Sequence, residues 1–461
     1  MLFNSQSFAV FFLIIFFLYW FAFNRNFKLQ NLLLLTGSYV FYCFWDWRFL
    51  SLLIFTSALN YALGYAIGKS DSLKTKRIFL NTGVVISIGL LIYFKYVNFF
   101  ISSFVSLFSQ FSISLSIHTA NIILPLGISF FTFRTLNYLF DIYRGKIEPT
   151  TDWLTFFTFV AFFPSLISGP IDKASMLIPQ LERKRVFNTD NAVDGLRQIL
   201  WGLFKKTVIA DNCAVITDQV FSNYHTLPAS TLLISIFLYT VQIYTDFSGY
   251  SDMAIGLARL LGLNITRNFD FPFFAQNIGE FWRKWHISLT TWLIDYVFTP
   301  LSISFRDYGK AGLVVAIIIN FTLIGIWHGA SWTFVLFGFL HGCYYIPLII
   351  SGKLNKKKKI AKGKIIPSFS EFINIAGTFL LVMFTFVIFR SDSISQAFDI
   401  YKSLFSKGLF SAPVFAATNV VEHTFIFILF LFIIEWFGKD GQYALADIGT
   451  KWPAILRWSF Y

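Results

Sequence analysis

The chain carries little charge for its length. Asp, Glu, Lys and Arg make up 13% of its 461 residues, whereas soluble domains average about 25%. Soluble domains adding up to this length would need charged surfaces that such a composition cannot supply. The shortage excludes a soluble multidomain enzyme. With 56% hydrophobic residues, it predicts an all-α, polytopic membrane protein in which residues 1–461 form a single membrane-embedded domain.

Cysteine is scarce as well. The three cysteines, Cys43, Cys213 and Cys343, are odd in number and widely spaced, so they build neither a disulfide framework nor a zinc site. Motifs of soluble enzymes are also missing: there is no P-loop, no dinucleotide-binding glycine pattern, no His-Glu-x-x-His and no Gly-x-Ser-x-Gly. We therefore expect no metal site and no bound cofactor.

Positive charge exceeds negative charge, with a formal net charge of +13. In a soluble protein this would suggest nucleic acid as a partner, but in a membrane protein Lys and Arg gather in cytoplasmic loops and set the orientation of the helices. The lysine-rich residues 353–364 are the strongest such cluster. They would serve as a topology anchor or bind anionic lipid head groups. The expected partner is thus the lipid bilayer and not nucleic acid.

Apolar runs of about 20 residues mark roughly eleven helical elements. One begins at residue 122 and ends at 143, and the run 154–168 is predicted to be re-entrant or bent at Pro164. Non-helical backbone at membrane depth survives only where protein or a water-filled cavity surrounds it, so this run points to an internal funnel. Residues 266–306 are too polar to span and too aromatic for a free loop. We expect them along the cytoplasmic interface.

A second apolar pair, residues 311–327 and 332–348, is predicted to form a tight membrane hairpin, and its break contains Trp327-His328-Gly329. Glycine there lets other backbone or a ligand approach closely. A neutral imidazole can take a proton from a hydroxyl near neutral pH, which makes His328 a candidate general base. The alternative is a packed histidine that bonds a neighbouring helix. His341, farther along the hairpin, has either a structural or a supporting role.

His286 ends a run of aromatic and basic residues, Trp282-Arg283-Lys284-Trp285-His286. Such a run suits an anionic aromatic ligand, for example a nucleotide-bearing thioester, with cations on phosphate and rings stacked on adenine. The same residues would also suit an aromatic belt at the membrane interface. Composition leaves both alternatives open.

Two carboxylates, Asp246 and Asp252, fall inside the predicted span 232–263. Unpaired charges at that depth are costly. We therefore expect them to bond to Arg or to hydroxyl groups across helices.

These features leave the choice between transporter and enzyme open, but several blocks resemble the membrane-bound O-acyltransferase family, in the bacterial branch that O-acetylates alginate or peptidoglycan. In chain order the blocks are residues 124–133, residues 162–164 continuing to 169–171, residues 242–256, residues 281–288 with Trp292, Asp295 and Tyr296, and Trp327-His328-Gly329. The resemblance runs through about residues 1–440.

The resemblance implies a ring of tilted helices around a central funnel, with His328 as the catalytic residue at its base and His286 as a second functional histidine. Acetyl-CoA is the implied acyl donor on the cytoplasmic side, and His328 would deprotonate an acceptor hydroxyl arriving from the other side. The oxyanion that forms needs a hydrogen-bond donor. His286, Asn320 or a backbone N–H would serve.

By the same resemblance the protein is a multi-pass protein of the bacterial inner membrane. Its acetyl group would pass to a periplasmic acetyltransferase of the SGNH type and on to a polysaccharide. Members of this branch usually end in a further membrane helix and a tail with a tyrosine proposed to carry the acyl group. Residues 439–461 look like a cytoplasmic segment without that helix, so either the tail is missing from this sequence or a separate tyrosine-bearing C-terminal peptide supplies it. Tyr461 is not assigned that role.

Two rival functions stay open on the sequence alone. A transporter of polysaccharide or lipid-linked sugar would also need polar groups inside the membrane. A member of the same family acting on a lipid or on teichoic acid would keep the histidines and change the substrate.

Overall fold

The computed structural model describes residues 1–113, 119–120, 122–354, 360–361, 365–449, 452–453, 455–456 and 459. Apart from Lys353, Leu354 and Ile360–Ala361, the predicted lysine anchor lies outside these residues, and so does Tyr461. Within the described residues all regular structure is helical and no strand occurs. The all-α prediction is confirmed.

The chain clusters into two compact units, which are described separately. Unit 1 consists of Met1–Ala192 and Leu257–Thr266. Its helices are α1 (Gln6–Phe17, continued by a π turn Leu18–Ala22), α2 (Phe27–Asp46), α3 (Leu50–Lys69), α4 (Leu73–Ser109), α5 (Ile128–Tyr143), α6 (Trp153–Ala161), α7 (Phe163–Leu166) and α8 (Ala174–Leu181).

The break in the apolar run 154–168 is held by Arg134, a buried residue of α5 that is 1% exposed. Its guanidinium donates to the carbonyl oxygens of Phe159 and Val160, each at 3.1 Å, and to that of Ser165 at 3.0 Å. The backbone leaves helical geometry at Phe162, with φ −52° and ψ 104°. The predicted bend is therefore present, but it lies at Phe162, while Pro164 sits in the first turn of α7. Arg134 satisfies carbonyls that the break leaves without helical partners.

The predicted span 122–143 is wrong at its start, because α5 begins only at Ile128. Gly127 precedes it in the left-handed region, with φ 74°. A Cβ on Gly127 would lie 2.7 Å from the carbonyl oxygen of Leu166. Glycine is needed here for both reasons, and the helix cannot extend back through this turn.

Unit 2 consists of Val193–Gly256 and Arg267–Tyr461. Its helices are α9 (Thr189–Leu203, continued by a π turn Phe204–Ala210), α10 (Asp211–Ser222), α11 (Ala229–Leu260), α12 (Ile278–Lys284), α13 (Ile287–Leu293, continued by a π turn Ile294–Phe298), α14 (Thr299–Ser304), α15 (Gly309–His328), α16 (Trp332–Cys343), α17 (Ile346–Ile350), α18 (Phe369–Arg390), α19 (Ile394–Leu404) and α20 (Thr418–Gly438).

Seven helical stretches in the described residues are long and apolar enough to cross a membrane, so the protein is a multi-pass membrane protein. They are Phe27–Lys69, Leu73–Ser109, Ala229–Leu260, Arg306–His328, Trp332–Ile350, Phe369–Arg390 and Thr418–Gly438. The described residues contain twenty α-helical segments, more than the eleven elements expected, because π turns and breaks divide the apolar runs. The ring, the funnel and the single-domain boundaries stay predictions.

Residues 266–306 contain only short helices, α12 to α14 and their connecting turns, and no candidate span. The hairpin that follows is confirmed, since α15 ends at His328 and α16 begins at Trp332. Its helices pack backbone against backbone. A Cβ on Gly325 would lie 2.1 Å from the carbonyl oxygen of Phe334, and one on Gly338 would lie 2.2 Å from that of Phe321.

Candidate functional site

His286 lies between α12 and α13 in the left-handed region, with φ 44° and ψ 53°, a conformation that costs energy for a residue other than glycine. Asn268 holds the backbone beyond it. The Ile287 N–H donates to the Asn268 carbonyl at 2.9 Å, and the Ser288 hydroxyl donates to the Asn268 side-chain oxygen at 2.6 Å. The Asn268 amide in turn donates to Ser251 of α11 at 3.2 Å. These bonds fix the direction of the imidazole.

The His286 ring is fully buried, with 0% exposure. Its ring centroid lies 4.6 Å from that of Phe247, 5.4 Å from that of Trp327 and 6.3 Å from that of His328. Neither ring nitrogen has a hydrogen-bond partner among the described residues. Burial lowers the pKa of His286 well below its ordinary value, and the neighbouring His328 lowers it further. His286 is thus a neutral imidazole with unused polar atoms, a costly arrangement that is typical of functional sites.

His328 closes α15 and is only partly buried. Its ring packs against Trp327 at 5.0 Å and against Phe389 of α18 at 5.1 Å, centroid to centroid. The two histidines singled out from the sequence therefore meet in one place. His328 is the more accessible of the two.

Gly329 is required here by close packing, because its φ of −171° is open to any residue. A Cβ would lie 2.2 Å from a ring atom of Phe334. The Phe334 ring packs on Phe389 with centroids 4.8 Å apart, and Phe389 packs on His328. Gly329 therefore sets the packing behind the His328 ring.

His341 and Trp282 form a buried pair beside this site, with 0% and 1% exposure. The indole Nε1 of Trp282 donates to His341 Nδ1 at 3.1 Å. Because Nδ1 accepts, a neutral His341 carries its hydrogen on Nε2, an atom with no hydrogen-bond partner among the described residues. The Phe337 ring contacts both histidines, with centroids 4.5 Å from His341 and 6.3 Å from His328. The arrangement fits a supporting role for His341.

The residues that precede His286 differ in exposure: the tryptophans are buried and Arg283 is exposed. Trp285 is 4% exposed and packs against Phe281 and Phe386, with centroids 5.3 and 5.5 Å away. Neither Trp285 nor Trp282 offers a ring face to solvent for a nucleotide. Lys284 pairs with Glu280 at 3.2 Å, whereas Arg283 is exposed. A phosphate-binding role for Arg283 and Lys284 stays a prediction.

The two carboxylates of α11 are paired, as expected, but with lysines of the π turn after α9. Asp246 is 53% exposed and pairs with Lys206 at 2.7 Å. Asp252 pairs with Lys205 at 2.5 Å and accepts from Gln198 at 2.7 Å. A functional role for Asp246 stays a prediction.

Asn320, the other proposed oxyanion donor, lies in α15 and is 4% exposed. Its amide oxygen has no hydrogen-bond partner among the described residues. A role for Asn320 as an oxyanion donor stays a prediction.

Sequence reasoning missed a polar cluster in the same unit. Tyr244 donates to the buried Glu435 of α20 at 2.7 Å, beside Lys205 and Asp252. A cavity of about 10 Å³ lies among these side chains, which is room for about one water molecule. A carboxylate inside the last apolar run was the signal that could have revealed Glu435. No such signal marks Asn268.

No group of three or more His, Cys, Asp or Glu side chains among the described residues is arranged to hold a metal ion.

The site lies inside a region that known proteins share. The sequence model of the membrane-bound O-acyltransferase family matches residues 144–387. The chain is 38% identical to a probable alginate O-acetylase of Azotobacter vinelandii, over 88% of this chain and 79% of that protein. It is 32% identical to a peptidoglycan O-acetyltransferase of Helicobacter pylori, over 88% and 80%. It is 30% identical to a teichoic acid D-alanyltransferase of Streptococcus thermophilus, over 57% and 68%.

Proposed function

Since the chain belongs to the membrane-bound O-acyltransferase family and is an acyltransferase, we propose that it moves an acetyl group from a cytoplasmic thioester across the membrane for O-acetylation of an exported polysaccharide. The observation that carries the proposal is the meeting of His328, partly exposed, with His286, which is buried and whose ring nitrogens have no hydrogen-bond partner among the described residues. Both histidines lie in the matched region.

In the proposed reaction His328 acts as the general base. It takes the proton of an acceptor hydroxyl as the oxygen attacks the thioester carbonyl, so that a carbon–oxygen bond forms and the carbonyl oxygen becomes an oxyanion. Collapse of this intermediate breaks the carbon–sulfur bond. The departing thiolate receives the proton from His328, and the site returns to its starting state.

His286 is the proposed oxyanion donor. Because burial keeps the ring neutral, one of its nitrogens carries a hydrogen and the other does not. A preorganised N–H in a site without water stabilises developing charge without having to reorient. The left-handed backbone held by Asn268 supplies that preorganisation.

The proposed donor is acetyl-CoA, bound as a substrate and not as a resident cofactor. The names of the relatives in Azotobacter and Helicobacter, which specify O-acetylation of alginate and of peptidoglycan, support an acetyl group and a polysaccharide acceptor. The D-alanyl alternative rests on a match to only 57% of this chain. Membership of an acyltransferase family favours group transfer over the sugar-transporter alternative.

The remaining components belong to the same proposal. We place the protein in the bacterial inner membrane, with a periplasmic SGNH-type acetyltransferase as the next acceptor. A tyrosine, on a C-terminal tail or on a separate peptide, would carry the acyl group between the two as a phenolic ester.

The test follows label from radioactive acetyl-CoA in membrane vesicles that contain the periplasmic partner, the glycan and the tyrosine-bearing peptide. Wild type is compared with His328→Ala and with His423→Ala. His423 is a matched control because it is exposed and, among the described residues, its one hydrogen bond is to Asn419 of its own helix. We expect His328→Ala to lose at least about 100-fold in rate and the control to match wild type.

Equal labelling by His328→Ala, at equal abundance, would show that His328 is structural. Transfer that requires an aminoacyl carrier protein in place of acetyl-CoA would refute the acetyl donor and support the D-alanyl alternative.

A further inference from the structure

Unit 1 contains a groove that the proposed reaction does not use. It has a volume of about 400 Å³ and lies between the turn after α1 and the segment after α8. This volume falls in the range of about 300–1,000 Å³ typical of small-molecule sites.

The walls of the groove are aromatic and fixed. The rings of Phe16 and Trp20 meet Phe187 edge to face, with centroids 6.2 and 5.3 Å away. The Trp20 indole donates to the Leu260 carbonyl at 2.9 Å, and a Cβ on Gly262 would come within 3.4 Å of the Trp20 ring. The apolar wall is therefore in place before any ligand arrives.

The floor contains a cation whose hydrogen bonds are already made. Arg185 is 5% exposed. It donates to the Tyr19 hydroxyl and the Asn31 side chain, each at 2.8 Å, and to the Leu181 carbonyl at 3.0 Å. Arg185 therefore serves the fold and is not the group that would bind an anion.

The rim contains two further cations, Arg25 and Lys184, and both are exposed. Among the described residues neither makes an ion pair or a side-chain hydrogen bond, and no carboxylate lines the groove. Arg25 lies between the apolar helix Gln6–Ala22 and the span that begins at Phe27. It is thus placed where Lys and Arg mark the cytoplasmic surface of a membrane.

We propose that this groove binds an anionic phospholipid of the cytoplasmic leaflet, with an acyl chain between the rings and the phosphate at Arg25 and Lys184. A soluble anion would use only the cations, and an apolar solute only the rings, whereas an anionic amphiphile uses both. Basic pockets beside membrane helices on the cytoplasmic side bind such head groups. The proposal does not depend on the chemistry at His328.

The experiment titrates the purified full chain in neutral detergent with phosphatidylglycerol or phosphatidylcholine and counts bound lipid by native mass spectrometry. The test variant is Arg25→Gln with Lys184→Gln. The matched control is Lys74→Gln with Arg77→Gln, which removes the same charge from two exposed residues at the start of α4. Thermal unfolding confirms that all forms are folded.

Removing one cation near a lipid surface lowers the affinity for an anionic lipid about fivefold. The test variant lacks two cations and should therefore bind phosphatidylglycerol roughly 30-fold more weakly. The control should match wild type, and phosphatidylcholine should bind all three forms equally. Phe187→Ser keeps the charge and opens the wall, and it should weaken binding of both lipids.

Three results would overturn the proposal. The control could lose as much affinity as the test variant, which would reduce the effect to general surface charge. The test variant could bind phosphatidylglycerol as wild type does. Finally, CoA added without lipid could bind wild type and not the test variant while lipid binding stays unchanged, which would assign the groove to the donor.

Discussion

Gly329→Ala tests whether close packing behind His328 controls the reaction. A new Cβ would lie 2.2 and 2.5 Å from two ring atoms of Phe334, so the ring must move by about 1 Å to reach normal contact. The backbone at Gly329 accepts alanine, and the whole penalty is therefore steric. Overpacking of this kind costs about 1–3 kcal/mol of stability.

The displacement has a direct route to the ring of His328, the proposed general base. Phe334 packs on Phe389, and Phe389 packs on His328 with centroids 5.1 Å apart. A misplacement of about 1 Å in a reacting group can cost about 100-fold in rate. We expect Gly329→Ala to remain folded, with a lower unfolding temperature, and to transfer acetyl groups about 100-fold more slowly.

The assay combines vesicle acetyl transfer with thermal unfolding in detergent. Adding Phe334→Leu to Gly329→Ala removes the ring edge that clashes, so the double variant should recover most of the lost rate. The control is Gly377→Ala in α18, where no heavy atom lies within 4 Å of the new Cβ. It should keep wild-type activity and gain up to about 1 kcal/mol of stability.

A wild-type rate for Gly329→Ala would refute the packing argument. A slow single variant that Phe334→Leu does not rescue would assign a different role to the glycine, namely close approach of a substrate.

Four further predictions concern the histidine site and the buried Arg134. Trp282→Phe removes the hydrogen bond that sets the His341 tautomer. We expect kcat to fall about tenfold with KM unchanged, and nitrogen NMR to show both tautomers of His341. An unchanged tautomer would contradict the assignment. His286→Phe should abolish transfer without loss of stability, because it removes two buried nitrogens that have no hydrogen-bond partner in the described part of the chain. Burial lowers the pKa of His286 in the folded state, so the unfolded state binds a proton at a higher pH than the folded state does. The free energy of unfolding of wild type should therefore fall as the pH drops below about 6.5. An equal loss in His286→Phe would refute this account. Arg134→Leu removes the cation that lies 3.8 Å from the buried carboxylate of Asp172, and it should lower the free energy of unfolding by about 3–5 kcal/mol. Thermal unfolding measures this change. A loss under about 1 kcal/mol would contradict the stabilising role of Arg134.

The sequence predicted what depends on short-range patterns. Apolar runs locate the hairpin of α15 and α16, and Trp327-His328-Gly329 falls at its break as expected. Hydropathy is averaged over a window of residues and does not register single hydrogen bonds. It therefore carried the predicted span 122–143 through Gly127, where a left-handed turn against the Leu166 carbonyl starts α5 late.

The missed features depend on contacts between distant parts of the chain. Asn268 fixes the His286 backbone through bonds to Ile287 and Ser288, and nothing in the neighbouring sequence marks it. Arg134 lies within an apolar stretch that is otherwise typical of a span, and its acceptors are carbonyls that become exposed only when the helix at Phe162 breaks. Side chains that repair a local break are specified by the tertiary fold.

The glycine contacts between α15 and α16 also bear on whether water and protons can cross the membrane along this hairpin. With backbone at Gly325 and Gly338 pressed against the opposite helix, this part of the seam has no room for a file of water molecules. Protons therefore have no path along it between the two aqueous phases. In a cell that stores energy as a proton gradient, this close packing would keep the hairpin that carries His328 from leaking protons along this part of its seam.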